Sequence, residues 1–362
     1  MFNSIKILKF IDKCIGPVCL KIFQKENLKK PINIDTPETI LVIRPGGLGD
    51  ALLLLPVLKA VSKKIKHLKI DILCEPRNQQ AFQTVSFINK ILFYTNPFDL
   101  FGAYKKKYDL IIDTEQSHYL SAIITRFLRA DLKAGFKVNK RQKMYDISIP
   151  YHHDVYEARM FWNLIFQTLN INESFAWDFP YFKNLKTNLL PGIAGNKYIC
   201  LFPGASIEEK LWPEKRWAKT VDHIVKTGYY CILLGGQKEI TQIKTILNFC
   251  KTKKIINMCN KLTIPETTRI LQKASLLIST DSSILHLGVL ADAPTISLFG
   301  SGTEIKWVPQ GEKHKVINKN LECSPCTKFG TIPPCPNKNA CMLQITTKDV
   351  VECLSGFNEV GV

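Results

Sequence analysis

The residues of this chain that could do chemistry fall in three short blocks and a cysteine-rich tail. The first block, Thr39-Ile-Leu-Val-Ile-Arg-Pro-Gly-Gly-Leu-Gly-Asp50, passes from a β-branched apolar run to a glycine turn and ends in a carboxylate. Gly46, Gly47 and Gly49 let a ligand approach the backbone closely. Asp50 stands where a strand hands over to a helix, at the carboxyl end of a sheet, where open α/β folds bind ligands. Asp is also a preferred helix cap, so a structural and a chemical carboxylate both fit here.

The second block is Phe202-Pro-Gly-Ala-Ser-Ile-Glu-Glu-Lys-Leu-Trp-Pro213. Gly204, Ser206 and Lys210 supply backbone amides, a hydroxyl and an ammonium, the groups that hold a phosphate. A solvated loop lysine is the alternative. A glycine pair in Leu233-Leu-Gly-Gly-Gln-Lys-Glu239 either passes a ligand's ribose or simply turns the chain. The third block, Ile278-Ser-Thr-Asp-Ser-Ser-Ile-Leu-His286, puts Asp281, Ser282 and Ser283 at a helix start with His286 one turn in. Free amides and the positive end of the helix dipole suit a pyrophosphate there, and Asp281 suits sugar hydroxyls. An ordinary N-cap with a structural histidine is the competing reading.

Absences narrow the chemistry. The chain has no G-x-x-x-x-G-K-[ST] loop, no G-x-G-x-x-G spacing, no Gly-x-Ser-x-Gly elbow and no Asp-x-Asp carboxylate pair. A phosphate-handling enzyme built from these blocks is therefore expected to work without a divalent metal, through amides, helix dipole and Lys210. The tail cysteines Cys323, Cys326, Cys335 and Cys341 are spaced C-x2-C-x8-C-x5-C, compatible with a structural zinc or with loose surface thiols or disulfides.

The elements that must position these blocks alternate along the chain. Apolar runs predict strands at 39–43, 68–74, 90–94 and 108–113, with helices near 49–64, 78–85 and 118–129 and a long helix from about 154 to 169. Proline, glycine and asparagine thicken between Pro180 and Asn196 and mark a boundary. The plan then restarts, with strands at 198–203, 229–234, 254–257, 275–280 and 294–299 and helices at 213–227, 238–250, 264–273 and 282–291. This predicts an α/β protein of two doubly wound, Rossmann-like domains facing a central cleft, 38–180 and 181–362, behind a prefix and linker at 1–37. In the prefix, Ile7, Leu8, Ile11, Ile15, Val18, Cys19 and Ile22 recur at helical spacing among lysines, and Gly16-Pro17 is expected to break or kink it into two pieces. Such a basic amphipathic helix lies either in a membrane interface or on the protein's own surface.

The formal net charge of +18 over 362 residues implies an anionic partner. No nucleic-acid signature accompanies the scattered lysines, so a membrane surface or a phosphorylated substrate ranks ahead of nucleic acid. A lysine-rich proteome bias is the bland account. Of the twelve cysteines, seven lie singly, mostly in apolar runs, where Cys behaves as a small buried hydrophobe. Neither a secretory signal nor a spanning apolar run is evident, which predicts a cytoplasmic chain with reduced thiols.

Together, the blocks Ile43-Arg-Pro-Gly-Gly-Leu-Gly-Asp50, Phe202-Pro-Gly-Ala-Ser with Lys210-Leu-Trp-Pro-Glu-Lys-Arg-Trp217, and Ser279-Thr-Asp-Ser-Ser-Ile-Leu-His286 followed by Ala293-Pro-Thr resemble the family 9 glycosyltransferases, which include the lipopolysaccharide heptosyltransferases. The resemblance spans about residues 38–350. It implies a GT-B fold and inverting, metal-independent transfer of a sugar, such as heptose from ADP-heptose, to a lipopolysaccharide core or related glycolipid. It makes Asp50 the catalytic base, on an acceptor-side loop with Arg44, Gly46, Gly47 and Gly49. Lys210 would contact donor phosphate and Asp281 the donor sugar, with Gly204 and Ser206 beside them and Ser282, Ser283 and His286 lining the diphosphate region. Leu262 falls under the nucleotide base, and Gln237 near a position where the family often carries Glu for the ribose. The expected partners are a nucleotide sugar, an anionic glycolipid and the inner face of the cytoplasmic membrane. The alternatives are another nucleotide sugar, a soluble acceptor, or a non-catalytic nucleotide-sugar-binding protein of the same fold.

Overall fold

The computed structural model describes residues 2–23, 36–83, 85–176, 195–327 and 333–359. The chain divides into two compact units, Met1–Tyr181 and Phe182–Val362. Most of the expected boundary segment and of the linker after the prefix lies outside the described residues.

The first unit runs α1 (Phe2–Ile22), β1 (Thr39–Arg44), α2 (Leu48–Lys64), β2 (Lys69–Cys74), α3 (Gln79–Gln83), β3 (Ile88–Phe93), α4 (Pro97–Lys105), β4 (Lys107–Asp113), α5 (Tyr119–Phe127), β5 (Arg129–Lys137), β6 (Ile147–Pro150) and α6 (Glu157–Thr168). Its six strands form a sheet in the order β3-β2-β1-β4-β5-β6. β1 pairs in parallel with β2 and β4, and Ile40–Ile43 are buried, which explains an apolar run without polar alternation. From β1 the chain first winds one way to β3 and then restarts on the other side at β4. The space between the ends of β1 and β4 is therefore the topological switch point.

α2 buries Ala51 to Leu55 together with Val57 and Leu58, and packs on α6. α4 and α5 share a core cluster instead, where Ala103, Leu100 and Ile124 meet Leu41 and Ile43 of β1. β5 and β6 lie outside the expected strands. Arg129-Ala-Asp-Leu-Lys-Ala-Gly-Phe-Lys137 interleaves charges with apolar residues, as suits a strand toward the sheet's margin, and gives no apolar run to read.

α1 is assigned as one helix through Gly16-Pro17 rather than as the two pieces expected from a break or kink there. It is docked on α5 by Asp12, Gly16 and Leu20, spaced four apart. A Cβ on Gly16 would stand 2.6 Å from Tyr119 Cβ, so glycine there allows the close approach of the two helices. Tertiary packing of this face outweighs the local helix-breaking tendency.

The second unit repeats the plan: β7 (Tyr198–Phe202), α7 (Glu214–Lys226), β8 (Tyr230–Leu233), α8 (Ile240–Phe249), β9 (Ile255–Asn257), α9 (Ile264–Leu271), β10 (Leu276–Thr280), α10 (Ser283–Leu290), β11 (Thr295–Leu298), α11 (Glu304–Trp307), β12 (His314–Ile317), α12 (Ala340–Gln344) and α13 (Thr347–Glu359). The sheet order is β12-β11-β10-β7-β8-β9, so its switch point lies between β7 and β10. α7 shows how the sequence sets this packing. Trp217, Ala218, Val221 and Ile224 make one apolar stripe, buried with Leu201 and Leu233 of the sheet. The tail closes the same core: Met342, Ile345, Val350 and Leu354 join it, and Trp212 Nε1 donates to the Ile345 carbonyl at 2.9 Å.

Candidate active site

In the first unit, the glycine turn and Asp50 occupy the switch point. Gly46 has φ +100, a conformation that favours glycine, and its N–H donates to Glu75 Oε1 at 3.0 Å. Asp50 is not the cap of α2. The capping residue is Gly47, which has no side chain to bond, and Asp50 lies within the first turn. Its Oδ2 is 4.0 Å from an amino nitrogen of Arg44, and its side chain is partly exposed.

Arg44, at the end of β1, ties this loop to the one after β4. It donates to the carbonyls of Pro45 at 2.7 Å and Thr114 at 2.8 Å, and to Glu115 Oε2 at 3.3 Å. Burial works against the guanidinium charge, but Asp50, Glu115, Glu157 and Asp113 outweigh it and raise the pKa of Arg44. Glu115 is equally buried, yet Arg44, His118, Arg141 and the Ser117 amide hold its carboxyl down to about 2.

A second layer fixes this pair. Asp113 accepts from Arg141 at 2.7 Å and from Tyr145 Oη at 2.8 Å, with both members of the ion pair fully buried. Arg141 also donates to the Glu115 carbonyl. Beside them, a pocket is walled by Ile43 and Pro45, by Glu75, Arg77 and Tyr94 after β2 and β3, by His118 with Leu120, Ser121 and Ile124 of α5, and by Asp12 of α1. Asp12 accepts from the Leu120 amide at 2.6 Å and sits 3.3 Å from His118 Nδ1. The prefix thus forms part of a pocket wall.

In the second unit, Gly204 and Lys210 follow β7 while Asp281, Ser282 and Ser283 follow β10, on either side of the switch point. Lys210 Nζ and Asp281 Oδ2 form an ion pair at 2.5 Å, both largely buried. Thr280 Oγ1 donates to the Gly204 carbonyl and locks the two loops together. Ser282 is the N-cap of α10 but makes no capping bond; its hydroxyl is 2.9 Å from Ser279 Oγ instead. The first amides of α10 therefore have no side-chain cap, the condition in which a helix N-terminus receives an anion.

His286 is buried, and its Nδ1 has no hydrogen-bond partner among the described residues. Burial first, with Lys210 adding, lowers its pKa to about 4 against the opposing pull of Asp281. It is a neutral imidazole at neutral pH, with its ring 6.3 Å from that of Trp307.

The remaining expected residues are placed less tightly. Ser206 is exposed, Leu262 is half-buried in the loop after β9, and Gln237 is exposed and accepts from Asn260 Nδ2 at 2.8 Å. The carboxylate brought to the Gly204 loop is Glu239, which accepts from the Gly236 amide at 2.8 Å. A Cβ on Gly204 would overlap Glu239 Cγ, and one on Gly302 would overlap Asp281 Oδ2. Sequence reading passed over Glu239, Gly302, Glu115 and Glu75. Their one signal is position: Glu75, Glu115 and Gly302 lie just after predicted strands, and Glu239 at the start of the helix predicted over 238–250.

The twelve cysteines are all free. Cys74, Cys200 and Cys231 are buried thiols whose pKa burial raises, whereas Cys14 is exposed. Burial raises the thiol pKa of Cys326 and Cys341, and no three His, Cys, Asp or Glu side chains among the described residues group together as metal ligands.

Two switch-point sites follow, one with a carboxylate beside a buried arginine and one with a lysine at an uncapped helix start. The second sets an ammonium and uncapped helix amides side by side, groups to which an anion can bind. The sequence profile of glycosyltransferase family 9 (heptosyltransferase) matches residues 101–335. The chain belongs to this family, and it is a glycosyltransferase. It is 26% identical over 289 residues to lipopolysaccharide heptosyltransferase 3 of Escherichia coli, covering 72% of this chain and 83% of that protein. The crystal structure of a family 9 glycosyl transferase from Veillonella parvula superposes with a TM-score of 0.73 at 16% identity, covering 91% of this chain and 99% of that one. An E. coli heptosyltransferase with ADP-2-deoxy-2-fluoro heptose gives 0.69 at 18% identity, covering 88% and 99%. The fold is GT-B.

Proposed function

We propose that this glycosyltransferase moves a heptose from ADP-heptose to a lipopolysaccharide core or related glycolipid, with inversion and without a metal. The observation that carries the reading is the Lys210–Asp281 pair between the loops of β7 and β10, beside the uncapped start of α10. It supplies a cation and free amides for a diphosphate, with a carboxylate for sugar hydroxyls. Heptose and adenine enter from the relatives: the E. coli structure contains ADP-2-deoxy-2-fluoro heptose, and the E. coli relative is a lipopolysaccharide heptosyltransferase.

In this mechanism Asp50 takes the proton from an acceptor hydroxyl. The oxygen attacks the anomeric carbon, and the bond from that carbon to the leaving diphosphate oxygen breaks on the opposite face. Lys210 and the amides of Ser282 and Ser283 take up the charge that develops on the leaving group. When the donor arrives, Lys210 has to share its charge between Asp281 and the diphosphate. Leu262 lies under the base, and Glu239 is the carboxylate that the β8 loop presents to the ribose. The acceptor is held at the membrane's cytoplasmic face.

Transfer from ADP-heptose to a detergent-dispersed lipopolysaccharide core tests the reading. Asp50→Asn is expected to lower turnover by about 10²–10⁴ with an unchanged thermal transition. Near-normal turnover would remove Asp50 as the base. Proton NMR of the product reports the anomeric configuration, and loss of activity with EDTA would remove the metal-independent step.

A further inference from the structure

The exposed apolar residues of the first unit are not scattered. Every exposed large hydrophobic side chain described in residues 1–181 lies on α1, α4 or α5, or one residue beyond α1. None lies on α2, α3 or α6, which belong to the other side of the sheet. α4 and α5 share one core cluster against β1, and α1 packs on α5, so the three helices make one face.

On α1, Asp12, Gly16 and Leu20 are docked while Ile15, Val18 and Ile22, three and four apart, form a second stripe turned outward. On α4, Phe98, Phe101 and Tyr104 are exposed, with Phe98 at 84%. A stripe of this kind at helical spacing normally lies inward.

The same face is basic. Lys13 and Lys21 on α1 and Lys105 on α4 are exposed, and Lys105 Nζ lies 4.4 Å from the centre of the Phe101 ring. The only carboxylates in the three helix sequences are Asp12 and Asp99, and both accept from backbone amides of the unit. Aromatic rings interleaved with lysines, with the acids turned inward, match a layer of anionic headgroups over hydrocarbon. No helix among the described residues is long and apolar enough to cross a membrane.

We infer that the α1–α4–α5 face is the surface by which the protein lies on an anionic lipid bilayer, with Phe98, Phe101, Val18 and Ile22 inserted and Lys13, Lys21 and Lys105 at the headgroups. The inference deepens the lipid-borne acceptor of the proposed function and rests on it. It reassigns membrane contact from the prefix alone to a composite face to which α4 adds Phe98, Phe101 and Tyr104. The pocket walled by Asp12, His118 and Tyr94 is then built partly from the helices that contact lipid.

The test is co-sedimentation of the full chain with phosphatidylcholine vesicles, with and without phosphatidylglycerol, at low and high salt. The wild type is expected to bind the phosphatidylglycerol vesicles, and less so at high salt. F98S/F101S and V18S/I22S are each expected to lower partitioning at least tenfold, with the thermal transition and ADP binding unchanged. K105E, which leaves the apolar side chains in place and removes the ammonium over Phe101, is expected to weaken binding in the same direction. Equal binding by wild type and variants overturns the inference. So does a wild type that ignores the vesicles, or a dimer lost in the variants while vesicle binding persists, which would assign the face to self-association. Heptose transfer to a detergent-dispersed acceptor is measured separately, so loss of vesicle binding with transfer intact refutes the surface and leaves the enzymatic reading standing.

Discussion

Single residues decide whether the two switch-point sites work, and the glycines are as informative as the charges. Lys210→Ala removes the cation facing the uncapped helix, and the KM for the donor is expected to rise by about tenfold or more, a loss of about 1.4 kcal/mol. Gly302→Ala should resemble it without touching a charge. Its new Cβ would overlap Asp281 Oδ2, a short side chain already pinned by Lys210, so the carboxylate must leave the pair. Donor titration of both variants checks this, and a normal KM for Gly302→Ala would show that Asp281 does not set donor affinity. In the first unit, Arg44 is held by two carbonyls and Glu115, with Asp50 Oδ2 4.0 Å from its guanidinium.

At the scale of elements, the α1–α5 contact turns a terminal prefix into part of the first unit. Gly16→Ala separates local from tertiary effects. In a free helix the change stabilises by about 1 kcal/mol. Here the Cβ would stand 2.6 Å from Tyr119 Cβ, close to the backbone of α5 and unable to yield cheaply. Overpacking of this kind costs about 1–3 kcal/mol, so the clash wins and net destabilisation is expected. Urea unfolding, with limited proteolysis of the first 23 residues, measures it; a more stable variant would mean that α1 is loosely held. The same contact explains why deleting the prefix is a poor test of membrane binding. It would uncover Leu20's partners Ala122 and Met144 and remove the carboxylate at the start of α5.

Across the whole molecule, the two units should respond differently to acid. His286 and His314 are held near 4 by burial in the second unit, below their unfolded value of about 6.5. As pH falls from 6.5 toward 4, the unfolded state takes up protons that the native state refuses, and stability declines. Glu115 in the first unit behaves otherwise. Its depressed pKa stabilises fully above the unfolded value and is lost only as pH falls toward 2. Calorimetry at pH 7, 5.5 and 4.5 is expected to show the second unit's transition moving down first. A first unit that weakens earlier would contradict these assignments. Only as pH falls toward 2 does the Arg44–Glu115 pair fail, at the roughly 3–5 kcal/mol typical of a broken buried ion pair.

The sequence by itself determined the alternation of βα units, the strand ends on which Asp50, Lys210 and Asp281 stand, and the family they mark. These are local signals: apolar runs, glycine turns and short blocks whose spacing survives without tertiary contacts. Its errors fell where packing overrides local tendency, as at Gly16-Pro17, or where a marginal strand such as β5 carries its charges outward. What only the tertiary structure decided is which side chains meet. Arg44 finds Glu115 across 71 residues, and Lys210 meets Asp281 across the β7–β10 switch point. Glu239 comes against Gly204, and Asp12 against α5. A buried charge persists only beside its partner, and that partner is chosen by strand order, which no local stretch of sequence encodes.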